Sequence, residues 1–172
     1  IAGTDDAAAG GKVINNTAFV AHHDFMAIFN RNFLTCVLTC RAVAAGMRAR
    51  QQGKIVTVAS VSAGLGVAKE TTYAVAKAAV VHFTRCLATE LRPDGITVNC
   101  LAPAATNTGR FRATLKDRTP DDLVRLRGNG RLERMAEPED VCRVIKFFLS
   151  PDSDFVSGQV LRVDGAQYTG PL

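Results

Sequence analysis

An α/β fold, a parallel sheet covered by helices, is predicted by three features of the 172-residue sequence. Two short runs rich in Val and Ile, KIVTVAS (54–60) and ITVNCLAP (96–103), read as strands buried on both faces. Between them, residues 72–91 carry Ala76, Ala79, Val80, Phe83, Leu87 and Leu91 on one helical stripe. The strand–helix–strand order with these lengths joins the two strands in parallel.

Taken in order, the regular pattern starts near residue 30. Residues 32–50, NFLTCVLTCRAVAAGMRAR, place Phe33, Val37, Leu38 and Met47 at helical spacing and end in a basic turn that suits a helix C-terminus. KIVTVAS follows Gly53, and the helix over 72–91 ends at the turn RPDG. Pro103 closes the second strand and sends the chain into a loop. Residues 104–135 are polar and Arg-rich, with a short helix predicted at TPDDLVRLR, where Thr119 caps and Pro120 takes the first position. A further helix begins at Glu137-Pro138-Glu139-Asp140 and runs through DVCRVIKFFLS, and SGQVLRVDGA is the last strand. No repeat or linker divides the chain, so one domain over 1–172 is expected.

Composition narrows the function classes. At 47% hydrophobic the chain can bury a substantial core. No apolar stretch reaches the roughly 18–20 residues of a membrane-spanning helix, and no charged segment followed by an apolar one opens the sequence. Five cysteines scattered through apolar elements, without a CxxC pair, read as reduced buried thiols in a cytoplasmic protein rather than as disulfides or a zinc site. The net charge of +5 comes largely from Arg110, Arg112, Arg118, Arg125, Arg127, Arg131 and Arg134. With no aromatic platform among them, a solvated flap is favoured over nucleic-acid binding, and also over a site for an acidic or phosphate-bearing substrate.

The chemistry concentrates at Ser60, Tyr73 and Lys77. Tyr73 and Lys77 are four apart on a helix and share a face. An ammonium beside a phenol favours the phenolate and draws the tyrosine pKa down toward working pH, as a general acid/base for hydroxyl–carbonyl interconversion requires. Ser60 closes the strand just before that helix, where its hydroxyl can hold a substrate oxygen. Ser62, two residues on, rivals it on a straight strand, although a local bond in the turn suits Ser62 better.

From Asn32 to Ala166 these segments resemble the short-chain dehydrogenases/reductases of the smaller, single-domain type. NFLTCVLTCRA resembles the helix carrying that family's catalytic asparagine, here Asn32. Ser60, Tyr73 and Lys77 stand at its serine, tyrosine and lysine positions, with twelve residues between Ser60 and Tyr73. ITVNCLAPAATNT resembles the VNxxxPGxxxT signature, which puts Pro103, Thr106 and Thr108 beside a nicotinamide; Ala104 replaces the usual glycine. KVINNTAF resembles the fourth strand with its NNAG motif, so that Asn15 and Ala18 line the cofactor cleft, with Thr17-Ala18 in place of Ala-Gly.

The resemblance implies a Rossmann-like doubly wound parallel sheet and an NAD- or NADP-dependent oxidoreductase acting on a secondary alcohol or ketone. In it Tyr73 moves the proton, and Lys77 lowers the tyrosine pKa and binds the ribose. Ser60 orients the substrate, and Asn32 holds a water leading to solvent. It also implies a homo-oligomer, a tetramer or dimer, assembled through the helices at 32–50 and 72–91 and the final strand. The front of the chain departs from the pattern. The glycine-rich TGxxxGxG turn that cradles the pyrophosphate is not in the sequence, so the sheet is expected to be incomplete on its N-terminal side. Residues 1–31 read as a compressed remnant of the cofactor half, with a turn or two of helix missing around Phe25–Asn30, and residues 104–135 as the substrate loop. The sequence reads better as pieces of a longer protein than as a true truncation. The choice between NAD and NADP stays open, because the stretch that sets it has no counterpart here. Two weaker alternatives are a cofactor-less binding or oligomerisation module and an isomerase or dehydratase of the extended relatives.

Overall fold

The computed structural model describes residues 18–66, 70–114, 120, 132 and 134–170. The expected strand at KVINNTAF up to Thr17, with Asn15, lies outside these residues. So does the helix expected at TPDDLVRLR beyond Pro120, and so do Leu115, Arg118, Arg125, Arg127 and Arg131.

The described chain opens with helix α1, His22–Phe29, which passes through a π-helical turn, Asn30–Leu34, into α2, Thr35–Ala49. The helix expected from residue 32 therefore begins about three turns earlier and runs through Phe25–Asn30. Phe25, Phe29 and Phe33 stack along it, with successive ring centroids 6.2 and 5.3 Å apart. Phe33 then meets Phe83 edge-on at 5.9 Å.

Strand β1, Gly53–Val58, leads by a 3-10 turn at Val61–Gly64 toward α3, Thr71–Leu91. A second 3-10 turn, Arg92–Asp94, ends at Gly95 in the left-handed region (φ 68°) and delivers the chain into β2, Ile96–Pro103. Helix α4, Gly109–Thr114, follows the loop after β2. Helix α5, Pro138–Leu149, then leads to β3, Val160–Val163. The Glu137 backbone N–H donates to Asp140 Oδ2 at 2.9 Å, fixing the start of α5 where the acidic first turn predicted it.

The sheet is parallel, ordered β1-β2-β3, with Val58 opposite Leu101 and Cys100 opposite Val160. Period-2 alternation puts Ile96, Val98, Cys100 and Ala102 on one face of β2; the first two join Ile55, Cys40, Ala88 and Leu91 in one cluster, and the last two join Val80 and Val81 further along the strand. Both strands were expected to be buried on both faces. That holds for β2, but Val58 in β1 is 46% exposed, because β1 has a described neighbour on one side only. This is the incomplete N-terminal side of a Rossmann-like sheet.

Candidate active site

Parallel pairing brings the carboxyl ends of β1 and β2 to one edge of the sheet, the end at which α/β folds bind their ligands. Beyond β1 the Ala59 N–H still bonds the Leu101 carbonyl at 2.8 Å, so Ser60 is held in extended backbone one residue further on. The chain then turns sharply, and the Ser60 hydroxyl oxygen accepts a hydrogen bond from the Ser62 backbone N–H at 3.2 Å. The Ser62 hydroxyl points elsewhere: it donates to Glu70 Oε2 at 2.9 Å. The local role expected of Ser62 is thus filled by its backbone, while its side chain spans to the start of α3.

Tyr73 lies in the first turn of α3 and is hydrogen-bonded to the Ser60 side chain. One turn later, Lys77 Nζ sits 5.7 Å from the Tyr73 ring centroid and donates to the Val58 carbonyl at 3.1 Å. Ser60, Tyr73 and Lys77 therefore converge on the end of β1, as their spacing predicted. Asn32 lies in the π turn, 6% exposed, where its Nδ2 donates to the Ile28 carbonyl at 2.9 Å. The π turn packs against α3, although the Asn32 amide is tied within its own helix.

The electrostatics correct one expectation. Burial pushes the Tyr73 phenol above the ordinary tyrosine value, opposed by the Ser60 hydrogen bond and reinforced by the Glu70 carboxylate. Lys77 was expected to draw it down. Instead burial lowers the pKa of Lys77 itself, and its ammonium is engaged by the Val58 carbonyl. Nearby on α2, the Cys36 thiol is pushed up by its hydrogen bond with Cys40 and by burial, which keeps it a neutral neighbour of Lys77.

Of the other residues expected to hold a cofactor, Asn15 lies outside the described residues, Ala18 sits in an exposed turn ahead of α1, and the rest lie at the end of β2 and along the loop after it. Pro103 pairs with Val163 at the end of the sheet. Thr106 donates to the Ala104 carbonyl at 3.1 Å and forms a parallel bridge with Ala136. Asn107 anchors the loop to α5 through Glu137, at 3.0 and 3.2 Å from its two carboxylate oxygens. Thr108 is exposed and accepts from the Phe111 N–H at 3.2 Å, starting α4. A cavity of about 350 Å³, lined by Ala104, Ala136, Arg162 and Gly165, adjoins this loop. A larger one of about 560 Å³ lies at the opposite ends of the strands. There Lys54 is already bound to Asp154 at 2.6 Å and Ser153 at 3.3 Å, far in the fold from Ser60.

Sequence reasoning missed Glu70. An acid at the position before a helix, three residues ahead of the tyrosine, was the available signal. Its meaning depends on Ser62 reaching it across the turn.

The whole arrangement has known counterparts. The sequence model of the family described as Enoyl-(Acyl carrier protein) reductase matches residues 4–166. A cyclohexanol dehydrogenase from Rhodococcus sp. (strain TK6) is 41% identical over 138 residues, covering 78% of this chain and 50% of the relative. A 3-oxoacyl-(acyl-carrier-protein) reductase from Vibrio harveyi is 33% identical over 141 residues, covering 82% and 56%. A solved 7α-hydroxysteroid dehydrogenase, complexed with NADH and 7-oxo glycochenodeoxycholic acid, superimposes with a TM-score of 0.81 at 29% identity, over 91% of this chain and 59% of that one. The chain spans about half the length of the curated relatives it matches. On this breadth of match, and with the serine, tyrosine and lysine gathered at one sheet end, the chain belongs to the short-chain dehydrogenase/reductase family.

Proposed function

We propose that this chain carries the proton-transfer half of an NAD- or NADP-dependent oxidoreductase that interconverts a secondary alcohol and a ketone. The observation that carries the reading is the gathering of Ser60, Tyr73 and Lys77 at the carboxyl end of β1, with the serine bonded to the tyrosine. The residues present fit the nicotinamide side of such a cofactor: Lys77 toward the ribose, and Pro103, Thr106 and Thr108 at the end of β2 and along the loop after it. A bound nicotinamide supplies the hydride donor or acceptor.

The chain's own groups do the rest. Ser60 hydrogen-bonds the substrate oxygen and stabilises charge on it as the carbonyl changes hybridisation. Tyr73 gives its phenolic proton to a ketone oxygen, or takes it back from the alcohol. The phenol form that burial favours is the form that donates, which suits reduction. Lys77 and a water held by Asn32 return the proton from solvent. The enzyme is read as a cytoplasmic homo-oligomer, tetramer or dimer, joined through α2 and α3. Leu38 and Val43, 51% and 40% exposed on α2, support that face.

The test is direct. The purified protein is given cyclohexanol with NAD or NADP, and cyclohexanone with the reduced forms, while nicotinamide absorbance is followed. Binding of both nucleotides is titrated by fluorescence. Turnover with either pair supports the reading. Absence of nucleotide binding sinks it and favours the second reading, a cofactor-less binding module, which the missing TGxxxGxG turn would explain.

A further inference from the structure

Glu70 takes part in a chain of hydrogen bonds that ends on the reacting tyrosine. Its Oε2 accepts from the Ser62 hydroxyl at 2.9 Å. The Ser62 backbone N–H donates to the Ser60 oxygen at 3.2 Å, and the Ser60 side chain bonds Tyr73. Glu70 also directly precedes α3, so the same residue ties the Val61–Gly64 turn to the helix that carries Tyr73 and Lys77.

We propose that Glu70 is a positioning residue for the reaction, holding the Ser60 hydroxyl against Tyr73 through Ser62 and keeping Tyr73 in its proton-donating form by its charge. The physical case has two parts. A serine that ends a strand is free to rotate about χ1, and a turn clamped from both sides removes that freedom before substrate arrives. A carboxylate near a phenol disfavours the phenolate, because two negative charges would then share a half-buried site.

Among the described residues, few charged or titratable groups surround Glu70 and Tyr73. On the same helix Lys77 lies over the ring, and from α2 the Cys36 thiol faces Lys77. The end of β1 contributes the neutral Ser60 and the Val58 carbonyl. Burial is the main cause that raises the Tyr73 pKa, and Glu70, the negative charge acting on it among these groups, pushes in the same direction.

The inference rests on the oxidoreductase reading, yet it can be tested apart from turnover. The sequence holds two tyrosines and no tryptophan, so Tyr168→Phe leaves Tyr73 as the only phenol. In that background, phenolate absorbance titrates Tyr73 directly. Glu70→Gln keeps an acceptor for Ser62 while removing the charge, so the Tyr73 midpoint should fall. An unmoved midpoint in Glu70→Gln overturns the charge role. Ser62→Ala cuts the tether, and kcat for cyclohexanone reduction should drop about tenfold while the reduced-cofactor KM stays level. Glu70→Ala, which leaves the Ser62 hydroxyl without its acceptor, should lower kcat about as far as Ser62→Ala, and restoring an acceptor with Glu70→Gln should recover most of that loss. Unchanged kcat in Ser62→Ala overturns the positioning role. A parent protein that fails to reduce cyclohexanone counts against the functional reading alone, and the titration still decides the effect of Glu70 on Tyr73.

Discussion

Replacing Tyr73 by phenylalanine separates chemistry from structure. Tyr73→Phe removes one oxygen and its proton and leaves the ring under the Lys77 ammonium, 5.7 Å away. The lost Ser60 hydrogen bond is worth about 1 kcal/mol, partly offset because a buried hydroxyl no longer needs a partner. Stability should therefore move by no more than about 1 kcal/mol, a shift of roughly 2–4 °C in Tm for a chain of this size. Catalysis should respond on another scale. A positioned general acid contributes roughly 10²–10⁴ in rate, or about 3–5 kcal/mol of barrier. Cyclohexanone reduction at saturating reduced cofactor measures the loss, while a thermal melt and a fluorescence titration of cofactor check that fold and binding survive. A Tyr73→Phe variant that keeps more than about a tenth of parental kcat would refute the role given to the phenol.

Other expectations concern the scaffold. Gly95→Ala places a methyl 2.6 Å from the Gln51 carbonyl oxygen at a φ of 68°, and should cost about 2–3 kcal/mol in urea unfolding; a loss below about 0.5 kcal/mol would show that the turn can shift. Thr57→Val removes the buried 2.6 Å contact with the Thr84 hydroxyl, but Thr84 still donates to the Val80 carbonyl at 2.8 Å. Its cost should be about 1 kcal/mol by chemical denaturation, and a cost above about 3 kcal/mol would mean an orphaned donor. Arg134 beside Asp140 holds that carboxyl down at about 2 from its ordinary 3.8, so the contribution to stability is complete above the ordinary value. It should fade as pH falls from 3.8 toward 2, and Arg134→Gln should flatten that part of a stability–pH curve.

Much of this architecture could be read in advance because it is local. The strand ITVNCLAP appears at Ile96–Pro103 and the striped helix at Thr71–Leu91, since patterns of period 2 and 3.6 are written along the chain itself. The approach of Lys77 to Tyr73 follows from four-residue spacing in the same way. What stayed hidden depends on surroundings. Burial, which reverses the expected shift of the Tyr73 pKa, is a property of the packed site rather than of the spacing. Val58 is exposed because β1 has a neighbour on one side only among the described residues, and no feature of KIVTVAS itself records that. Glu70 gains its role from a side chain eight residues away across a turn. The π turn at Asn30–Leu34 leaves no mark on a hydrophobic pattern, since one extra residue per turn is within its noise.

That π turn has a mechanical consequence. A wide turn amounts to one residue inserted into an otherwise regular helix, so the two halves run about 100° out of phase. Ile28 on the first half and Cys40 on the second, both buried at 0% and 5% exposure, are brought toward one face by that offset. Shortening the segment by a single residue would give a more regular helix and a worse protein. One half would keep its seat, and the other would swing its apolar stripe toward water. The length of this helix is consequently less negotiable than its composition, and Asn32 sits at the point where the two phases meet.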